Sequence, residues 1–509
     1  VFTGTLLPYQ IDAVDAMVSR KKMLVAYDLG LGKTVLTIAA LEKLAPGTGL
    51  VICLSSLKYQ WADQIKKFTD TGNPLVIDGT PKQREAQYAM AMSGKYTHII
   101  LNYEQVVNDW DSVSELPRNF VVCDEATAIK SFRSKRSKHV KRLTSDIRFA
   151  LTGTPIENGK PEELYSIMQF VDKNVLGRYD HFDKTFIVRN SFGGVERYQN
   201  LSSLNIKMAT ASVRKRQQDP DVSPYLPDTI FAEPIKVPFD RAGAKLYSRI
   251  STEILGDLEV AIDTYGTSFD LFSHYSGENQ NEAANALKGA IMSKLTALRM
   301  LCDAPDLLRN SVGSSRYAGE LEADGLLEGL KAHPKVDMLK QYTSEFLDSY
   351  EGNKVVIFTS YVHMADILRD QLVDYNPQVY TGKLNAKDKE AAKLTFQTDP
   401  GCRVLISSDA GGYGVDLPQA NLLINYDLPW NAGLALQRNG RIRRASSTWP
   451  SIVIQDFLMA GSIEERQHEM LLQKNLIADA IMDGEGINTE GGIEMNLGSL
   501  KAFLRRTTV

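Results

Sequence analysis

Three short stretches of this chain carry residue types at spacings that could do chemistry. The first, Asp28-Leu29-Gly30-Leu31-Gly32-Lys33-Thr34, follows the apolar run Met23 to Ala26 and precedes the helix-forming stretch Val35 to Leu44. Two glycines let the backbone curl until its N–H groups converge on a polyphosphate. The helix adds the positive end of its dipole, and Lys33 adds a point charge. Thr34 stands where a hydroxyl would hold Mg²⁺. The usual spacing of a phosphate loop puts a further glycine at Tyr27, which this sequence lacks. Taken alone, the loop therefore leaves an ordinary strand-to-helix turn as its alternative.

The second stretch is Asp124-Glu125, directly after the apolar Val121-Val122-Cys123. One carboxylate at a sheet edge can hold Mg²⁺, directly or through water, while its neighbour orients and deprotonates an attacking water. A pair of acids at a strand end also serves as a helix N-cap. Beside Lys33-Thr34, however, the pair completes the two halves of an NTP hydrolysis site. The third stretch is Gln437-Arg438-Asn439-Gly440-Arg441-Ile442-Arg443-Arg444. Arg441 and Arg444 are three apart and would share a helix face, with Arg443 pointing elsewhere. A guanidinium aimed at a γ-phosphate stabilises transition-state charge, worth roughly 10³ to 10⁵ in rate. A basic helix by itself is as readily a solvated face.

These stretches need elements to position them. The chain's 509 residues exceed a single core and predict two or three domains. Up to about residue 155, short β-branched runs alternate with helical patterns, which predicts a parallel sheet covered by helices. Val51 to Leu54, Ile99 to Leu101, Val121 to Cys123 and Phe149 to Leu151 read as strands. Each ends in polar or small residues, and ligands collect at such carboxyl ends. From about 156 to 237 the pattern turns helical (Glu162 to Val171), then basic (Val213 to Gln218), then breaks over five prolines between Asp219 and Pro238. That proline spacing predicts a crossover. Residues 238–335 read as a helical insertion, with Ala283 to Leu301 as a long helix and Ser273 to Asn281 as a polar loop. Strand-helix alternation returns over 336–460, with Val355 to Phe358, Val379-Tyr380, Val404 to Ile406 and Leu422 to Ile424. Residues 461–509 read as a C-terminal helical segment and tail. The expected fold class is α/β, two parallel-sheet lobes with helical insertions.

Composition narrows the setting. A net charge of −4, from 58 basic and 62 acidic residues, gives no global attraction to nucleic acid, so any polyanion site must be local. The run Lys130, Arg133, Lys135, Arg136, Lys138, Lys141 and Arg142 contains no acid and is the best local basic patch, or else a solvated helix face. Cys53, Cys123, Cys302 and Cys402 lie far apart with no Cys-x-x-Cys, which fits a reducing, intracellular setting: cytoplasm or nucleoid, or the nucleus of a eukaryote. No apolar stretch reaches membrane-spanning length, and Val1 to Thr5 do not read as a signal peptide. A start without Met is expected to be trimmed.

In order along the chain, these motifs resemble the Swi/Snf-family ATPases of helicase superfamily two, from about residue 6 to about 475. Leu7-Pro8-Tyr9-Gln10 resembles the Q motif, Asp28 to Thr34 motif I, Leu54 to Trp61 motif Ia and Asn102-Tyr103-Glu104 motif Ib. Asp124-Glu125-Ala126-Thr127 is similar to motif II, Leu151 to Asn158 to motif III, and Ile357 to Tyr361 to motif IV. Ser407 to Leu417 resembles motif V, followed by Tyr426 to Asn431, and Gln437 to Arg444 resembles motif VI. Leu164 to Phe186 and Leu298 to Pro305 resemble family signatures outside the ATP site. Three positions depart from the pattern: Thr127 for His, Glu157 for Gln, and Asp416 for Asn. Thr127 removes a polar link from motif II towards the second lobe, and Glu157 puts a negative charge near a region expected to sense DNA.

The resemblance implies two RecA-like lobes closing on Mg-ATP. It implies Gln10 on the adenine edge, and Asp28, Gly30, Leu31, Gly32, Lys33, Thr34, Gly414 and Asp416 around the nucleotide. Thr34 and Asp124 would hold the metal, with Lys33, Asp124, Glu125, Gln437, Arg441 and Arg444 catalytic. For double-stranded DNA it implies Ser55, Ser56, Lys58 and Tyr103 in the first lobe, joined by the basic residues Lys130, Arg133, Lys135 and Arg136. In the second lobe it implies Ser360, Thr381, Gly382, Ser407 and Ser408. Such groups position a phosphate backbone without reading sequence. Trp430 is either a core residue or an aromatic edge touching DNA. The expected activity is that of a monomeric ATP-dependent motor on intact duplex. A strand-separating helicase on DNA or RNA and a nucleotide-gated DNA-binding switch are the alternatives.

Overall fold

The computed structural model describes residues 1–189, 194–266, 282–409, 415–484 and 497–507. The strands are, in chain order, β1 (Lys22–Tyr27), β2 (Gly49–Cys53), β3 (Pro74–Val76), β4 (His98–Asn102), β5 (Phe120–Asp124), β6 (Ile147–Leu151), β7 (Ile187–Arg189), β8 (Val195–Tyr198), β9 (Ser212–Lys215), β10 (Asp228–Phe231), β11 (Ile235–Val237), β12 (Val355–Thr359), β13 (Gln378–Tyr380), β14 (Val404–Ser408), β15 (Leu422–Asn425) and β16 (Ser451–Met459). The first lobe is a seven-stranded sheet in the order β3-β4-β2-β5-β6-β1-β9, all parallel. The second is built on β10-β16-β15-β12-β14-β13, with β11 also on β16, again all parallel. β7 and β8 form a separate antiparallel ribbon.

Both sheets are covered on both faces, which is why their strands are continuous apolar runs. Along β1, Leu24 and Ala26 enter one core while Met23 and Val25 enter the opposite one. Along β12, Val355 and Ile357 face a core that also takes in Leu246, Ile250, Leu295 and Leu298, while Val356 and Phe358 face another. The helices Arg241–Tyr265 and Glu282–Asp303 are therefore part of the second lobe's own core.

Every strand expected from the sequence overlaps an observed one, with Leu54 falling just past the end of β2, and the loops after β1, β2, β5 and β6 share one sheet edge. Several features differ from expectation. The basic run from Val213 begins as β9, because its backbone pairs with β1 from Leu24 to Tyr27. The crossover expected up to about residue 237 ends earlier: β10 and β11 pair with β16, so the proline-rich stretch delivers the chain into the second sheet before Pro238. The loop Ser273 to Asn281 lies outside the described residues. Arg441 and Arg444 are not on a helix. The helix Ala432–Asn439 ends before them; Arg441 follows in a turn and Arg444 in the irregular backbone just after it.

The helix Ile463–Met482 links the lobes. It begins just after β16, and its far end buries Ile477, Ile481 and Met482 in the first lobe's core with Leu204 and Met208. At 1.5 Å per residue, its 20 residues span about 30 Å. Among the described residues, no helix is long and apolar enough to cross a membrane.

Candidate active site and nucleic-acid interface

The loop after β1 turns on Gly30 and Gly32, at φ 79° and 82°, where a side chain would be strained. The helix Lys33–Leu44 starts at once, so the loop sits at the positive end of the helix dipole. Lys33 Nζ folds back onto the carbonyls of Tyr27 (2.8 Å) and Asp28 (3.3 Å). Burial pushes its ammonium below the usual value, against the pull of Glu125, Asp124 and Asp28. Gln10 is buried against Gly32. Its Nε2 donates to the Leu31 carbonyl (3.0 Å) and its Oε1 accepts from Leu7 N (2.9 Å), so it clamps the loop to the helix Pro8–Arg20. Asp28 differs from expectation. Its carboxylate accepts from Arg214 NH1 and from Gln217 N, both at 3.0 Å, which braces the loop from β9.

Asp124 and Glu125 end β5. Asp124 Oδ2 accepts from Trp61 Nε1 (2.8 Å) and Oδ1 from Glu125 N (2.9 Å). Glu125 has φ 50°, ψ 56°, a left-handed conformation that costs a non-glycine residue of order 1 kcal/mol or more. Burial, and then the charge of Asp124, raises its carboxyl to about 7, while Lys33 and Arg441 pull the other way. A carboxylate held there can take a proton near neutral pH. Tyr103, expected at DNA, is buried instead, its hydroxyl donating to the Asp124 carbonyl (2.7 Å). It fixes the acidic loop from behind.

The second lobe brings its arginines to this edge. Arg444 is 5% exposed, lies against Gly30, and pairs through NH2 with Asp416 Oδ1 at 2.5 Å. Asp416 thus acts on the arginine, where the sequence placed it at the nucleotide. Arg441 is buried, its carbonyl accepts from Leu417 N (2.9 Å), and its charge acts on Glu125. Gly440 and Leu29 are in contact, so the arginine turn rests on the phosphate loop. Gln217 Nε2 spans the same seam, donating to Leu29 O (2.8 Å) and Arg443 O (3.4 Å). Gly414 lies outside the described residues.

The residues present fit a bound polyphosphate and a water nucleophile. Arg444 Nε and NH1, Glu125 Oε2 and Gln437 Oε1 are buried without hydrogen-bond partners among the described residues. Unpartnered guanidinium N–H groups call for anionic oxygens, and unpartnered carboxylate and amide oxygens call for a donor such as water.

A second seam joins the lobes at Glu157. Lys130 pairs with it and, at 3.9 Å, with Glu163. Asn431 Nδ2 donates to Glu157 Oε2 (3.1 Å), Ala432 N donates to its carbonyl (3.2 Å), and Gly433 packs on its side chain. The charge that replaces the usual Gln is therefore paired with Lys130, and Glu157 carries a polar link from the segment after motif II to the second lobe. Lys130 was expected at DNA; its ammonium is instead held by carboxylates.

The other expected DNA contacts divide by exposure. Ser55, Ser56, Arg133, Lys135 and Gly382 are exposed. Arg136 is half-buried and pairs with Glu104 at 2.6 Å. Lys58 is 1% exposed, its Nζ donating to Ile77 O (2.8 Å) and Asp78 Oδ1 (2.9 Å), so it ties a helix to the sheet edge and does not face solvent. Thr381 and Ser407 are buried, and the Ser407 hydroxyl donates within the sheet to Tyr380 O (3.2 Å). Ser408 is buried, with no partner for its hydroxyl among the described residues. Ser360 donates through N and Oγ to Asp427. Trp430 is half-buried on the second lobe's core with Arg299 over its ring at 5.6 Å.

Sequence reasoning missed Arg438, which is fully buried and forms a fork with Asp409 (2.6 and 2.8 Å) while donating to the Asp427 carbonyl. It orders the strand ends carrying Ser360 and Asp409. Its place within the arginine-rich run was the available signal. Arg214 was missed because nothing local marks it as a partner of Asp28.

Residues 9–307 match the SNF2-related domain and residues 334–446 the helicase conserved C-terminal domain. The chain is similar to the mouse SWI/SNF-related matrix-associated actin-dependent regulator of chromatin subfamily A member 1, 25% identical over 91% of this chain and 42% of that protein. It is also similar to the Arabidopsis thaliana ATP-dependent DNA helicase DDM1, 24% identical over 95% of this chain and 62% of the relative. The chain spans about half the length of the curated relatives it matches. The Pyrococcus furiosus Hef helicase domain shares the fold, with a TM-score of 0.53, 18% identity, and coverage of 91% of this chain and 97% of that one. With one domain match covering the first lobe and a second the arginine-bearing lobe, the chain belongs to the SNF2-related family of helicase-like ATPases.

Proposed function

We propose that this chain is an ATP-driven motor that moves along double-stranded DNA and remodels DNA or protein–DNA complexes. The observation that carries the reading is the seam itself: a phosphate loop from one lobe faces Arg444 from the other, with Glu125 beneath. A site built from two bodies changes when they move apart, which links ATP turnover to lobe motion.

In this reading Lys33 and the loop N–H groups bind the phosphates, and Glu125 Oε2 takes a proton from the attacking water that Gln437 helps to orient. Arg441 and Arg444 stabilise charge developing on the phosphoryl oxygens. Thr34 and Asp124 would hold Mg²⁺, which when bound neutralises phosphate oxygens. Gln10 would meet adenine through its remaining amide N–H. DNA would lie along the exposed Ser55, Ser56, Arg133, Lys135 and Gly382, with Ser408 and Trp430 at its edge. Four buried, unpaired cysteines fit an intracellular setting, and a two-lobed site complete within one chain fits a monomer.

Steady-state ATPase with and without duplex tests the proposal. Strong stimulation by duplex supports a motor. Turnover that ignores duplex supports a nucleotide-gated switch.

A further inference from the structure

At the end of the lobe-linking helix Ile463–Met482, the C-cap residue is Asp483, followed by Gly484 at φ 71°. A carboxylate at the negative end of a helix dipole is unfavourable, so Asp483 needs cations. Two are supplied from the first lobe: Arg214 Nε at 3.6 Å from Oδ1 and Arg216 NH1 at 3.8 Å from Oδ2. The Asp483 and Arg214 side chains are 10% and 16% exposed, so solvent screens this contact less than a surface pair. Asn205 Nδ2 donates to the Ile481 carbonyl (2.8 Å), and the Asn205 side chain packs on Gly484. The helix end is thus docked on the first lobe.

Arg214 is shared. Its NH1 reaches Asp28 Oδ1 (3.0 Å), Ala26 O (2.9 Å) and Gly153 O (3.3 Å), so one guanidinium joins the phosphate loop, the Thr152-Gly153-Thr154 loop and the helix end. The other end of the helix is rooted in the second lobe. Glu464 accepts from buried Lys335 (2.6 Å), Gln467 donates to Leu428 O, and Lys474 donates to Trp430 O (2.7 Å). Any separation of the lobes therefore loads the Asp483 contact.

We infer that Asp483 and Arg214 form a latch through which the lobe-linking helix positions the phosphate loop. With the latch made, Arg214 is fixed and holds Asp28, and the lobes stay in the arrangement that sets Arg444 over Gly30. With it broken, the helix end is released, the lobes separate more readily, and ATP must supply the free energy of closure. Asp483 and Arg214 are positioning residues: they act on the nucleotide through Asp28. The inference rests on the ATPase reading above.

Asp483→Asn removes the charge and keeps the size. It is expected to raise KM for ATP about 3- to 10-fold with kcat within about twofold, the pattern of a lost closure contribution. Asp483→Glu should restore most of the KM. Spin labels at exposed Ala89 and Asp374, one on each lobe, should report a longer and broader interlobe distance for Asp483→Asn without nucleotide. Unchanged KM and unchanged distance in a protein whose wild type hydrolyses ATP overturn the latch. So does a loss of kcat that tracks a fall in thermal stability, which marks a merely structural helix cap. A wild type that fails to hydrolyse ATP overturns the ATPase reading instead, and the distance measurement then still decides the latch.

Discussion

Arg444 of the second lobe lies so close over Gly30 of the first that a methyl group on Gly30 would occupy the place of its guanidinium. This contact makes a phosphate loop and an arginine turn, over 400 residues apart in sequence, into one site. Arg444→Ala and Arg441→Ala are each expected to lower kcat about 10³-fold, at the low end of what a transition-state arginine contributes, with little change in ATP affinity. Gly30→Ala should lose turnover as well, from strain at positive φ and from displacement of Arg444. Unchanged kcat in both arginine variants, measured in a steady-state assay, would remove them from the chemistry.

Lys33 and Glu125 separate binding from turnover. Lys33→Ala should weaken nucleotide binding, because its ammonium is the charge at the loop. Glu125→Gln should keep binding and abolish hydrolysis. Equal loss of nucleotide affinity in both, by titration with a fluorescent ATP analogue, would show that Glu125 has the wrong role.

The pH profile follows from the raised Glu125 carboxyl, at about 7. The base acts when deprotonated, so kcat should rise as pH increases through about 7 and level off above it. A kcat that is flat from pH 5.5 to 8.5 would contradict proton removal by Glu125.

Glu157 joins Lys130 to Asn431 across the lobes. Glu157→Ala leaves Lys130 without this partner and removes the bond from Asn431, each worth on the order of 1 kcal/mol. Duplex-stimulated turnover is expected to fall severalfold, more than for Asn431→Ala alone. Equal stimulation in wild type and Glu157→Ala would confine this seam to structure.

The exposed cations make a salt-dependent prediction. Replacing Arg133, Lys135 and Lys138 by Ala should weaken binding to every duplex and flatten the slope of log K against log salt by about 0.9 per lost contact. Lys58→Ala should leave the slope unchanged and lower stability, because its ammonium holds Asp78 and the Ile77 carbonyl inside the fold.

The candidate catalytic groups stood out in sequence because each sits by the end of an apolar run that reads as a buried parallel strand: Lys33 after β1 and Asp124-Glu125 at the end of β5. β16 was missed although Ser451–Met459 is strongly apolar, and with it the pairing of β10 and β11, because short exposed strands carry little periodicity. The arginine turn was read as a helix because spacing alone does not reveal where a helix stops. Lys58 and Tyr103 were read as DNA contacts from motif position, and Lys130 from its place in an acid-free basic run. Their actual partners, Asp78, the Asp124 carbonyl and Glu157, are set by tertiary packing that no local pattern carries. The same limit hid Arg214 behind Asp28.

The central claim, a motor that tracks intact duplex, is tested most directly by displacement of a third strand from a triplex on duplex DNA in the presence of ATP. Separating a duplex disrupts about 1.4 kcal/mol of stacking per base-pair step, whereas tracking along it does not. The account predicts ATP-dependent release of the third strand by wild type, none by Glu125→Gln, and little strand release from a simple forked duplex. Efficient fork unwinding without triplex displacement would contradict it.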